Sequence, residues 1–216
     1  MRKRFNAGMS PGILILLFLI VIGGFLLWTM KGGLEDRKQK LAKAISFIKS
    51  EYQFAEITIK DKTGDSIQFI LKFLDITGKT VSTKEFQLKG KDIFLESRIV
   101  VIRVEEQERA LVFPFKLYSD LIAPNEGVDL LNLYMENNFP KTYVSPDSEM
   151  NKIIGKLFIK AFELNNSGKE FDDKYVRISL NMDAVLHQGS LKEFKPGKMY
   201  RYLVHPNGGL ELVEVD

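Results

Sequence analysis

The sequence predicts an α+β, strand-rich fold: a single N-terminal transmembrane helix, then one compact domain of antiparallel hairpins and meander with a few short helices. Two patterns carry that expectation. Residues 12–30 form an apolar run without one charged side chain. From residue 55 onward, apolar and polar residues alternate at period two between Gly-, Asp- and Asn-rich turns, which is strand patterning. The 216 residues suit one domain with an appendage. The expected divisions are a basic tail 1–11, a signal-anchor helix 12–30, a juxtamembrane amphipathic or stalk helix 31–50, and a strand-rich globular domain 51–216.

The tail carries Arg2, Lys3 and Arg4, the only charges before residue 31. At about 1.5 Å per residue, the run from 12 to 30 gives roughly 28 Å of helix, close to the hydrocarbon thickness of a bilayer. Leu16, Phe18 and Phe25 supply apolar surface to lipid, Trp28 suits the headgroup level, and Lys31 ends the run. The run is longer than the apolar core of a cleaved signal peptide, and no small-residue cleavage site follows it. A short basic tail before a first helix favours an N-terminus in the cytoplasm and an exported domain. The basic residues Lys31, Arg37, Lys38, Lys40, Lys43 and Lys49 on the other flank pull the opposite way.

Residues 34–50 read as a helix with Leu34, Leu41, Ile45 and Ile48 on one stripe. It packs on the domain as a stalk or, alternatively, lies on anionic lipid through its basic face. Strands follow. Residues 55–60 and 66–74 form a hairpin across the turn 61–65, and 80–88 continues the meander. In 93–104 the apolar parity shifts between Leu95 and Val100, which predicts a bulge or two short strands. Residues 110–117 alternate but contain Pro114, so the strand there is an edge or is broken. The middle is irregular, with loops at 119–127 and 137–149, and 153–162 is ambiguous between helix and strand. Residues 176–182 are a strand, and 199–204 pairs with 210–215 across His-Pro-Asn-Gly-Gly.

Charge and composition exclude several functions. Lys and Arg exceed Asp and Glu by three, and the tail holds that whole excess. A balanced domain lacks the electrostatic term that drives non-specific nucleic-acid binding, so no nucleic-acid partner is expected. Zero Cys excludes a disulfide scaffold, thiolate metal sites and a Cys nucleophile. Gly78-Lys79-Thr80 resembles the end of a P-loop, but Phe73 stands where the first Gly belongs. His187 and His205 show no metal-binding spacing, and Ser190 near His187 has no nucleophile elbow. Asp120, Asn125, Glu126 and Asp129 lack the calcium-loop spacing. Asp147, Glu149, Asp172 and Asp173 are the carboxylates an acid–base hydrolase would draw on. No catalytic residue, metal or cofactor is expected.

The organisation resembles the layout of many bacterial single-pass envelope proteins, a likeness of layout that carries over no functional positions. The function expected is a non-catalytic, membrane-anchored binding or scaffolding module of the cell envelope. The alternatives are a cytoplasmic-face module with a basic lipid-reading helix and a membrane-anchored carboxylate hydrolase. The expected partners are the bilayer, through residues 12–30, and another envelope protein; a homo-oligomer is not predicted. The expected contact surface is the two long loops, through Leu121, Ile122, Pro124, Asn125, Phe139 and Tyr143, unless these side chains plug the end of the domain.

Overall fold

In the computed structural model the described residues are 33–163, 171–181 and 194–215. The chain divides into two compact units, Met1–Lys40 and Leu41–Asp216. In the first unit, residues 33–40 are helical, Lys40 pairs with Asp36 one turn earlier at 2.5 Å, and Leu34 is exposed.

The second unit begins with the rest of that helix, α1 (33–47). Leu41, Ala44, Ile45 and Ile48 recur on one face and are buried in the core. The Arg109 guanidinium Nε donates to Ile48 O at 3.0 Å, satisfying a carbonyl just past the helix end. Lys43 Nζ meets Glu149 Oε2 at 2.6 Å.

Twelve strands follow among the described residues. β1 (Tyr52–Thr63), β2 (Ser66–Leu74) and β3 (Thr80–Lys89) are consecutive antiparallel neighbours. The C-terminal hairpin, β11 (Met199–Val204) and β12 (Leu210–Val215), docks on the far side of β1, giving a five-stranded sheet in the order β12-β11-β1-β2-β3. Its buried face carries Ile57, Ile59, Ile67, Phe69, Leu71, Phe73, Phe86 and Leu88, as strand alternation dictates. The other face carries cross-strand ion pairs such as Lys60–Glu85 and Lys72–Glu56.

The second five-stranded sheet has the order β6-β5-β4-β10-β9. It comprises β4 (Ile93–Val104), β5 (Gln107–Ser119), β6 (Val128–Asp129), β9 (Phe171–Asp172) and β10 (Val176–Asn181). The β4–β5 register shifts between Glu96 and Ser97, where Pro114 sits opposite. The central strand β4 is buried on both faces from Leu95 to Ile102. Helix α3 (Ser148–Glu163) lies against β5, with Phe158 edge-on to Phe113 at 5.2 Å and Phe162 edge-on to Phe115 at 5.7 Å. Between β6 and α3 run a one-turn helix α2 (Leu131–Tyr134) and a two-residue ladder of β7 (Met135–Glu136) with β8 (Phe139–Pro140).

The fold class read from the sequence is corrected here. The described chain is strand-rich, with antiparallel sheets and three short helices rather than one meander behind a membrane helix. Among the described residues no helix is long and apolar enough to cross a membrane. Residues 12–30, where the sequence places that helix, lie outside the described residues, as do Arg2, Lys3, Arg4, Leu16, Phe18, Phe25, Trp28 and Lys31. The meander ends at β3, because β10 and β11 join strands far from them in sequence. Periodicity marks which face of a strand is apolar and carries no information about which strand lies beside it.

Candidate functional site

The segment 119–127, connecting β5 to β6, is an exposed loop braced at both ends. Ser119 is buried, and its hydroxyl donates to Lys89 O and accepts from Leu121 N–H. The Asp120 carboxylate accepts from the amides of Lys91 at 2.7 Å and Asp92 at 3.0 Å, tying the loop to the β3–β4 junction. Burial pushes the Asp120 carboxyl up, and the Asp92 and Lys91 amides more than offset it, so its pKa lies below the ordinary carboxylate range. At the other end Lys116 Nζ donates to Gly127 O at 3.1 Å. Pro124–Glu126 form a 3₁₀ turn, closed by Gly127 N–H donating to Pro124 O. Gly127 admits no side chain, because a Cβ there would stand 2.9 Å from Leu117 O.

These ties hold one apolar side chain in water. Leu121 is 59% exposed although its own amide is bonded. Pro124 and Asn125 are exposed beside it, and Ile122 is half-buried against the core, with its amide on Ser119 O. The second expected loop differs. Phe139 is half-buried and packs on the core, with its ring 3.7 Å from where a Gly155 Cβ would stand. Tyr143 is 1% exposed and belongs to the interior.

Tyr143 has a structural duty. Among the described residues the short β6 pairs only with Lys116 and Leu117, and the β5 edge from Ala110 to Pro114 has no strand neighbour on that side. Three tyrosine hydroxyls take the strand's place. Tyr143 Oη donates to Val112 O at 3.0 Å and accepts from Val112 N–H at 2.8 Å. Tyr134 Oη donates to Pro114 O at 2.6 Å. Tyr52 Oη lies 3.0 Å from Ala110 O and 2.7 Å from Tyr143 Oη, and its single proton serves one of these at a time. Burial pushes the Tyr143 phenol up to about 12 and drives Tyr52 and Tyr134 well above the ordinary phenol value, so all three remain donors at neutral pH.

Two charged features stand outside the expected residues. Glu96 and Arg98 are buried on β4 near the bulge. Burial pushes the Glu96 carboxyl up, opposed by Arg98 and Lys116. Burial also lowers Arg98, opposed by Glu96. Arg98 sits over the Phe115 ring at 5.7 Å. At the β11–β12 turn, His205 has Nδ1 3.0 Å from Glu51 and Nε2 3.0 Å from Glu211. Glu108, His205, Pro206, Asn207 and Gly209 line an open cleft of about 480 Å³ there. Glu96 and Arg98 lie two residues apart on β4 and His205 and Glu211 flank one hairpin turn, while Glu51 reaches His205 from the start of the chain's first strand region.

Of the candidate acid–base and calcium residues, Asp120, Asp129, Asp147, Glu149, Asp172 and Asp173 are engaged in turns and pairs. Asp129 caps Leu131 N–H, Asp147 caps Glu149 N–H, and Asp173 caps Tyr175 and Val176 N–H. Glu149 pairs with Lys43, and Asp172 pairs with Arg103. Gly78-Lys79-Thr80 closes the β2–β3 turn, where Asp75 accepts from the Thr77 and Lys79 amides. No group of three His, Cys, Asp or Glu among the described residues is placed to hold a metal. His187 and Ser190 lie outside the described residues. Comparison with family models, curated proteins and solved structures finds no match to this chain.

Proposed function

We propose that this protein is a non-catalytic binding or scaffolding module held at the membrane of the cell envelope, with the loop 119–127 as its contact surface. The observation that carries the reading is the bracing of that loop around an exposed Leu121. An apolar side chain fixed in water stabilises nothing in the free molecule, and a partner pocket that receives it gains the burial. A loop already tied in place loses little conformational entropy on docking. The apolar composition of residues 12–30 supports the anchoring, and anchoring raises the effective concentration of the module at the membrane. We place the N-terminal tail in the cytoplasm and the domain outside it.

The chain has no Cys, so Thr83→Cys on the exposed part of β3 gives a single thiol for a membrane-impermeant maleimide. Labelling in cells with an intact inner membrane is the expected result. Protection until that membrane is lysed contradicts the exported placement. Alkaline extraction is expected to leave the chain in the membrane pellet, and release into the soluble fraction contradicts the anchoring.

A further inference from the structure

Three side chains line up across the end of the first sheet where β1 begins. Tyr52 pairs with Val204, so Glu51, just before β1, stands beside His205, just after β11. Glu211 lies on β12, opposite Leu203. His205 is held between the two carboxylates: Nε2 is 3.0 Å from Glu211 Oε2 in hydrogen-bonding geometry, and Nδ1 is 3.0 Å from Glu51 Oε2. We propose that His205 is a pH-operated latch between the α1–β1 link and the C-terminal hairpin, closed while the imidazole carries two protons and open once it loses one.

The backbones on which these side chains stand are fixed. His205 N–H donates to Gly209 O at 2.9 Å, Gly208 N–H to His205 O at 3.0 Å and Gly209 N–H to Asn207 Oδ1 at 2.9 Å. The turn is seated on the second sheet. Arg177 Nη2 donates to Asn207 O at 2.7 Å, and a Cβ on Gly208 would stand 2.8 Å from Ile99 and Val101. The α1–β1 link is held on either side of Glu51. Ile48 and Tyr52 are buried, Arg109 Nε donates to Ile48 O, and Tyr52 Oη reaches Ala110 O on β5. Glu211 is carried on the β11–β12 ladder. The side-chain contacts are therefore what a proton can change, and through them how firmly the hairpin holds the start of β1.

The two contacts set a proton requirement. A neutral imidazole has one N–H and one lone pair, and a carboxylate only accepts. In either neutral tautomer one ring nitrogen turns its lone pair on a carboxylate oxygen 3.0 Å away. The imidazolium presents an N–H on both sides and carries the charge that both carboxylates attract. Two other charged groups face this turn. Glu108 on β5 lines the same cleft and is paired with Arg103, and the Arg177 guanidinium on β10 reaches Asn207 O. When His205 loses its charge, Glu51 and Glu211 lose their shared cation together. The His205 side chain is 33% exposed and both partners are more than half exposed, so protons exchange with solvent and each pair is individually weak. A latch of this strength loosens the hairpin and leaves the fold intact.

The test is thermal melting of the full chain in neutral detergent micelles at about pH 5.5 and about pH 8.5. These values bracket the ordinary imidazole range and lie above the ordinary carboxylate range. At about pH 5.5, His205→Gln is expected to melt about 2–4 °C below the unaltered chain. At about pH 8.5 that gap is expected to close. A histidine that gains partners as a cation stabilises the fold below the imidazole range, and that contribution is lost as pH rises through it. Glu51→Gln is expected to lower melting by about 1–2 °C at the lower pH when made alone, and by nothing further in the His205→Gln background. A His205→Gln gap that is absent at the lower pH or equal at both overturns the proposal, as do additive losses in the double variant. If His205→Gln does not fold, Glu51→Gln alone decides: a loss confined to the lower pH supports the latch, and no loss, or the same loss at both, overturns it. The latch shares no residue with the loop 119–127, so its failure leaves the contact proposed for Leu121 standing.

Discussion

Tyr143 shows how much one hydroxyl can carry. It serves both backbone groups of Val112 on a buried strand edge that no other described strand covers. Tyr143→Phe leaves an N–H and a carbonyl in the interior without that partner, at a cost of about 1–3 kcal/mol each. Urea unfolding is expected to show a loss of about 2–4 kcal/mol, and a loss below about 0.5 kcal/mol contradicts the edge-capping role. Gly90 is constrained in a different way. Its φ is +120°, and a Cβ there would stand 2.7 Å from Ser119 Oγ and nearer still to Asp120. Gly197, at φ +80°, has open space around it. Gly197→Ala therefore costs only the conformational term of about 1–2 kcal/mol, and Gly90→Ala costs distinctly more. Equal losses in the two variants would show that the close packing at Gly90 relaxes freely. Asp75 and Asp120 set an acid limit. For Asp75, burial raises the carboxyl, but the Thr77 hydroxyl and the Lys79, Thr77 and Gly78 amides bring it below its ordinary value. Both groups ionise more readily folded than unfolded. Their stabilisation is complete above the unfolded carboxylate range and is lost as pH falls through the folded one. Asp120→Asn is expected to lower stability at neutral pH and to flatten the stability–pH curve below that range. A curve of unchanged slope would sink this reading.

Among the elements, α1 gives the plainest contrast between exposed and buried positions on one stripe. Leu34 is exposed and Ile45 is 4% exposed. Ile45→Ala should cost about 2–4 kcal/mol through the cavity it leaves, while Leu34→Ala should stay within about 0.5 kcal/mol. Comparable losses would place Leu34 in an equivalent contact. The local elements were legible in the sequence. Ile67, Phe69, Leu71 and Phe73 alternate and pair as β2, and Asn207-Gly208 turns the last hairpin, whereas the parity shift after Leu95 reflects a continuous β4 buried on both faces, the extra residue at the register shift being Phe115 on β5. The ambiguous stretch 153–162 is helical. Its Ile154, Leu157 and Ala161 recur at helical spacing on the buried face, and the competing alternation in Lys-Leu-Phe-Ile-Lys-Ala-Phe would have sent Ile159, which is exposed, into the core beside Leu157. Strand neighbours were not legible. Nothing in residues 199–204 announces β1 as their partner, because that choice depends on two whole faces fitting together. The same limit hid the tyrosine caps, whose hydroxyls reach backbone groups 20 to 58 residues away in sequence. The candidate loop was partly legible. Its turn composition marked 119–127 as exposed, but composition could not separate Leu121, held in water, from Tyr143, held in the core.

Over the whole of the Leu41–Asp216 unit, side chains from both sheets, α1 and α3 join one apolar core. The edges of the second sheet are two-residue strands, β6 and β9, and Tyr52, Tyr134 and Tyr143 close the gap on β5. The first sheet presents its long edge strand β3 with Lys84, Glu85 and Lys89 exposed, a pattern that discourages indiscriminate strand pairing. Leu121 is the most exposed of four large apolar side chains exposed among the described residues, the others being Leu34, Val144 and Ile159, and it stands on a loop braced at both ends. The central claim is that Leu121 meets a partner protein. A photo-crosslinking amino acid at Leu121, with one at Lys156 as control, tests it in cells that carry the full chain. The predicted result is one adduct of discrete mass at 121, absent at 156 and lost when Pro124→Asp is added. Uncrosslinked chain at both positions, or the same adducts at both, would contradict it.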